Sequence, residues 1–258
     1  MSQLPRFYVE QKEVFRDRFL ITSPDVCKHL RQILRIGKGA RIVLFDGQGN
    51  EYEGEIRYLD KSQVSGIVDK KWVLTENWPN IILAQALPKA GKADDIVRMN
   101  TEAGVREFVF FKSEYSIPPK ESYDQKKVER LQRVANEAGR QSERGYLPSI
   151  GPAISFDELL EAEIDLKLML HSRNVEGAMS LTQIRAAFPN PASILVAIGP
   201  EGGFSPIEVS QAQEKGFKIV YLNTPILRTE TAGLLAAGYL VLEYGEKNDQ
   251  AVTKELYK

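Results

Sequence analysis

The sequence predicts an α/β protein in two parts, a small β-barrel followed by a mainly parallel sheet with crossover helices. Up to about residue 72, short runs rich in Val, Ile, Phe and Tyr alternate with glycine turns, the pattern of antiparallel strands. Beyond it, apolar runs alternate with segments of helical periodicity, the pattern of a parallel sheet. Trp72 to Pro79 fits neither pattern, so the division falls near residue 73 and gives domains of 1–72 and 73–258.

In the first part, residues 5–9, 41–45, 51–59 and 63–68 read as strands, with Asp46-Gly47-Gln48-Gly49-Asn50 as a turn. One helix interrupts them from Pro24 to Leu34, where Val26, Leu30, Ile33 and Leu34 share helical spacing and Gly37 follows as a stop. His29 on that helix reads as a packed or capping histidine. In the second part, Ile81 to Leu87 is a strand, and a polar loop leads to a helix containing Ile96, Val97 and Met99 that stops at Gly104. Phe108 to Phe111 is the next strand. From Asp124 to Arg144, Val128, Leu131, Val134, Ala135 and Ala138 mark one helical face, with Arg130, Arg133, Arg140 and Arg144 largely off it. A helix around Phe156 to Glu161 and a strand from Asp165 to Leu170, ended by His171, follow.

The last third carries the chemistry. Ile194 to Ile198 is apolar throughout, as a strand buried on both faces requires, and Gly199-Pro-Glu-Gly-Gly203 opens it into a bare backbone loop. Ser205, Pro206 and Glu208 then mark a helix start: a cap, a proline at the first helical position and a glutamate placed to close a capping box. A second unit repeats the plan, with a strand from Lys218 to Leu222, a loop to Arg228 and an Ala/Leu/Gly-rich helix from Thr229 to Glu243. Such junctions in parallel sheets are where ligands bind. Neither G-x-G-x-x-G nor G-x-x-x-x-G-K-[ST] occurs, which argues against a dinucleotide or a nucleoside triphosphate. Glycines, main-chain amides and apolar Leu222 and Leu227 suit an adenine-bearing cofactor held without a phosphate cradle, such as S-adenosylmethionine.

Ile198-Gly-Pro-Glu-Gly-Gly-Phe-Ser205, then Leu222, then Leu227-Arg-Thr-Glu-Thr-Ala232, resembles the ribosomal RNA small-subunit methyltransferase E family. Arg6-Phe7, His29-Leu30, Leu34-Arg35, Asp46-Gly47, Glu102, Gly104-Val105, Glu137-Ala138, Gln141-Ser142 and Arg144 extend the match along nearly the whole chain. Ala103 stands where a leucine is usual, and Lys112 to Ser116 replaces a segment that commonly carries arginine. The resemblance implies a SPOUT catalytic domain, trefoil-knotted, preceded by a PUA-like RNA-binding barrel. It implies a homodimer that methylates uridine N3 in 16S ribosomal RNA, free or in the assembled small subunit, with S-adenosylmethionine as donor.

On that basis Leu170, His171, Gly199, Pro200, Glu201, Gly202, Gly203, Leu222, Leu227, Thr229 and Ala232 are the candidate cofactor contacts. Uridine becomes anionic as N3 loses its proton, so a fixed guanidinium at Arg228 is the candidate stabiliser, with Glu201 or Glu230 as candidate base. Arg6, Arg31, Arg35, Arg140 and Arg144 are the candidate RNA contacts. The small residues Ala232, Gly233, Ala236 and Ala237 suit close packing, either at a dimer interface or in the core.

Composition is compatible with this. The net charge of −1 over 258 residues argues against indiscriminate nucleic-acid coating, yet residues 6–41 hold nine Lys/Arg against four acids. A single cysteine, Cys27, excludes an intramolecular disulfide, and His29 and His171 give no metal-ligand spacing, so no metal is expected. With no membrane-length apolar run and no leader pattern, the cytoplasm is the expected compartment. Two alternatives remain: another SPOUT enzyme acting on ribose or transfer RNA, and a noncatalytic RNA-binding assembly factor.

Overall fold

The computed structural model describes residues 4–89, 91–116, 123–171, 175–245 and 253–256, which fall into two compact units. The first contains β1 (Arg6–Tyr8), β2 (Val14–Phe15), β3 (Arg18–Ile21), α1 (Pro24–Lys28), β4 (Arg41–Phe45), β5 (Asn50–Leu59) and β6 (Val64–Val73). The strands pair in the order β1-β4-β5-β6-β3-β2, and only β1 and β4 run parallel. Alternate residues turn inward: Phe19, Ile21, Ile42, Leu44, Ile56, Val64 and Val68 share one core with Cys27 and Leu30. Among the described residues the pairing path has two ends, so hydrogen bonds do not close the expected barrel into a ring. The β5–β6 register instead slips at Glu53/Gly54 and Ile56/Tyr58, and such irregularities bend a strand and let a sheet wrap its core.

The helix expected to run from Pro24 to Leu34 changes character midway. Ser23 caps α1, with Pro24 at its first position, but His29–Ile33 continue as a π-turn in which the Leu34 N–H donates to the His29 carbonyl at 3.0 Å. The wider turn rotates the residues after it away from the face of Leu30. Ile33 and Leu34, grouped with Leu30 by their helical spacing, are therefore 64% and 39% exposed. The stop also comes early, because Arg35 takes the left-handed conformation (φ 53°) two residues before Gly37.

The second unit contains β7 (Asn80–Ala86), α2 (Ala93–Glu102), β8 (Glu107–Lys112), α3 (Gln125–Gln141), β9 (Ser149–Ile150), β10 (Ile154–Ser155) and α4 (Phe156–Leu160). It continues with β11 (Leu166–Leu170), β12 (Met179–Ser180), α5 (Leu181–Ala187), β13 (Ser193–Ile198), α6 (Pro206–Glu214), β14 (Lys218–Tyr221) and α7 (Thr229–Tyr244). Its strands pair in the order β10-β8-β7-β13-β11-β14-β12, with β9 beside β8, and every pair is parallel. Both faces are covered, which is why β7 and β13 read as unbroken apolar runs. Ile81, Leu83, Ile194 and Val196 pack with residues of α2, α3, α5 and α7, whereas Ile82, Ala84, Leu195 and Ala197 pack with α4 and α6.

The small-residue face of α7 enters this core. Gly233, Ala236 and Ala237 are buried, and a Cβ on Gly233 would already lie 3.5 Å from Leu83. Two stretches expected in the second domain join the first unit instead. Glu143–Tyr146 reaches it through a Gly49 N–H to Gly145 carbonyl bond of 2.9 Å, and β15 (Thr253–Leu256) pairs antiparallel with β6, while the leading segment of that unit runs to Glu76.

Candidate active site

Because the sheet is parallel, the loops after β7, β11, β13 and β14 emerge on one side, and they enclose a cavity of about 390 Å³. Gly199, Pro200, Glu201 and Gly203 line it from the loop after β13, Leu222 and Leu227 from that after β14, and Leu170 and His171 from the end of β11. Arg228, Thr229 and Ala232 close it from the start of α7. The two motif loops, far apart in sequence, thus share one space. Two nominated residues do not line it. Gly202 turns outward, where a Cβ would meet that of Tyr115 at 3.1 Å, and Glu230 sits behind the wall.

The loop after β13 is fixed by hydrogen bonds that its sequence anticipates. The Gly203 N–H donates to the Pro200 carbonyl at 2.9 Å, with Gly203 at φ 75°, a turn that favours glycine. Ser205 and Glu208 form the capping box of α6, and the buried Glu208 carboxylate also accepts from the Ser113 hydroxyl (3.2 Å) and the Glu114 N–H (2.9 Å). Gln85 was not singled out by the sequence, because it hides in the apolar run of β7. Fully buried, it donates from Nε2 to Thr229 Oγ1 at 2.8 Å, and Thr229 Oγ1 donates to the Gly199 carbonyl at 2.7 Å. That relay ties α7 to the cavity loop.

Lys92, also missed, lines the cavity with its Nζ 3.1 Å from Glu201 Oε1 and 3.0 Å from Glu230 Oε2. Burial is the largest influence on each carboxyl and pushes it upward, but the residue's own backbone N–H and the Lys92 ammonium, helped by the Lys89 N–H at Glu201 and by the Arg228 charge at Glu230, hold both below the usual range. Neither has the raised pKa of a base poised at neutral pH. Arg228 differs: exposed at the cavity wall, its guanidinium makes no hydrogen bond or ion pair with other described residues.

The candidate RNA contacts divide. Arg31 is half-buried, Arg35 is exposed, and Arg140 pairs with Glu137 on its own helix. Arg6 and Arg144 are structural. Arg6 bonds Glu51 (2.7 Å), stacks over Phe45 and donates to the Arg144 carbonyl (2.6 Å), while Arg144 grips Glu76 through two bonds of 3.0 and 2.9 Å. The Arg144 and Glu76 side chains are only 6% and 7% exposed. Arg144→Ala leaves a buried carboxylate behind, so urea denaturation should show a loss of about 3 kcal/mol. A loss below about 0.5 kcal/mol, typical of surface sites, would return Arg144 to the RNA-facing set.

Comparison with known proteins identifies this arrangement. Residues 76–241 match the model of an RNA methyltransferase domain and residues 22–69 that of an RNA methyltransferase PUA domain. The chain is therefore an RNA methyltransferase carrying a PUA domain. The chain is 29% identical over 242 residues to the ribosomal RNA small subunit methyltransferase E of Bacillus subtilis, covering 90% of this chain and 94% of that one. It is 32% identical over 228 residues to the enzyme of that name from Aquifex aeolicus, covering 88% and 94%. The crystal structure of a ribosomal RNA small subunit methyltransferase E from Neisseria gonorrhoeae bound to S-adenosyl methionine superposes with a TM-score of 0.82 at 29% identity, covering 95% and 100%. The chain belongs to the ribosomal RNA small subunit methyltransferase E family.

Proposed function

We propose that this chain transfers the methyl group of S-adenosylmethionine to N3 of a uridine in 16S ribosomal RNA. The carrying observation is that the Gly199–Gly203 and Leu222–Thr229 loops line one cavity at the carboxyl ends of parallel strands. Its size lies within the range of small-molecule sites. Its walls fit an uncharged adenosine: Leu170, Leu222 and Leu227 are apolar, the Gly199 surface is bare main chain, and the Lys92 cation is already committed to two carboxylates. When bound, S-adenosylmethionine supplies a methyl group on a sulfonium, which N3 takes in an in-line displacement. The residues orient and neutralise. Arg228 balances the negative charge on the uridine carbonyl oxygens as the N3 proton departs, and with Glu201 and Glu230 held ionised by Lys92, solvent takes that proton.

The exposed Arg35 and half-buried Arg31 of the first unit suit phosphate contact. Leu235 and Leu242, seven residues apart on α7, are 42% and 82% exposed and form an apolar strip suited to a second copy, which supports a homodimer. The trefoil threading of α7 belongs to the same reading. No helix among the described residues is long and apolar enough to cross a membrane, and a ribosomal RNA substrate assigns the enzyme to the cytoplasm. Mass-spectrometric mapping of small-subunit RNA, from cells with and without the protein, tests the substrate and the reaction together. The expected result is one N3-methyluridine lost with the protein; a lost ribose methyl, a lost transfer-RNA mark or no loss would replace the reading.

A further inference from the structure

We propose that Lys92 is a positioning residue for methyl transfer, its ammonium locking the loops after β7 and β13 and the start of α7 around the cavity. The proposal rests on the reading that S-adenosylmethionine occupies that cavity. Lys92 stands at the N-cap of α2, makes no side-chain capping bond there, and places positive charge at the end of a helix that disfavours it. Local structure does not account for a lysine at this point. Its tertiary contacts do.

Glu201 lies 109 residues away in sequence and Glu230 lies 138 away, yet both reach the same nitrogen, at 3.1 and 3.0 Å. Glu201 is fastened a second time, accepting the Lys89 N–H at 3.3 Å. The three side chains are 28%, 23% and 18% exposed, so water screens them only in part. Without the ammonium, two like charges would face each other at the cavity wall, one on the glycine loop after β13 and one on the first turn of α7. Repulsion would drive those elements apart. Lys92 thereby holds the distance between Gly199 and Leu227, the two surfaces that grip the cofactor, without itself touching the reacting atoms.

The test uses the full chain and three variants: Lys92→Met, Lys92→Arg and Lys92→Met with Glu230→Gln. Calorimetry with S-adenosylmethionine should show Lys92→Met weakened about tenfold or more, with KM for the donor raised by a similar factor and kcat changed less. The arginine variant should recover most of the affinity. The double variant should recover part, because removing one carboxylate removes the repulsion, and that recovery is not expected of a general folding defect. Unchanged affinity in Lys92→Met overturns the proposal, as does a double variant no better than the single one. An affinity loss matched by a lowered melting temperature and not repaired by arginine also overturns it. If the unaltered protein fails to bind S-adenosylmethionine, the assignment of the cavity fails instead, and that outcome is read before any variant.

Discussion

Replacing Gly199 with valine should weaken S-adenosylmethionine binding by at least about 100-fold. A Cβ at this position would lie 3.2 Å from the Gly203 carbonyl carbon, 3.3 Å from Gly203 Cα and 3.2 Å from the Phe204 ring. Neither neighbour can give way easily. The Gly203 backbone is fixed by its hydrogen bond to Pro200, and the Phe204 ring is stacked on Phe111 at an interplanar angle of 4° and packed against Phe156. Two further methyl groups enlarge the overlap, so the loop must move, and it is the loop that walls the cavity. The shift also strains the 2.7 Å bond from Thr229 to the Gly199 carbonyl. Melting temperature should fall as well, because the clash, although beyond the end of β13, presses on Phe204, which shares a core with Phe111 and Phe156; a comparison variant separates the two effects. Gly202→Ala serves as the comparison: it meets Tyr115, away from the cavity, and should bind the donor like the unaltered chain. Calorimetry that finds equal affinity in Gly199→Val would falsify the placement of the donor against this loop.

What could be read in advance follows a physical rule: features set by neighbours in sequence were legible, and features set by distant partners were not. The apolar run of β13, the capping box at Ser205 and Glu208 and the glycine turn between them are local, and all appear where expected. Lys92 was passed over inside a polar loop because its meaning lies in Glu201 and Glu230. Gln85 was absorbed into an apolar run, since its partner, Thr229, is 144 residues away. Arg144 looked like one more cation on a basic helix flank; only Glu76, 68 residues earlier, makes it a buried ion pair. The β2–β3 hairpin was missed for a different reason. Its turn is Arg16-Asp17, with Arg16 at φ 54° where glycine or asparagine is the usual signal, and Phe15 is 70% exposed.

Arg228→Ala should lower kcat by about 100- to 1000-fold, the range found when one charge-stabilising donor is removed from an active site, while leaving donor affinity nearly unchanged. The backbone of Arg228 does the structural work at the start of α7: its carbonyl accepts from the N–H groups of Thr231 (3.0 Å) and Ala232 (2.8 Å), and its φ and ψ are −70° and 154°. Alanine preserves both. The side chain makes no capping bond, so its removal takes from the site a cation and little else. If that cation only braced the helix, stability would fall and turnover would follow it; if it balances charge on the deprotonating uridine, turnover falls alone. Lysine should recover only part of the rate, because a point charge lacks the planar pair of donors that guanidinium offers to a carbonyl oxygen. Single-turnover methyl transfer to small-subunit RNA, with the donor saturating, separates the two. A rate in Arg228→Ala equal to that of the unaltered enzyme would leave the reaction without this residue, and the electrostatic burden would pass to the start of α7.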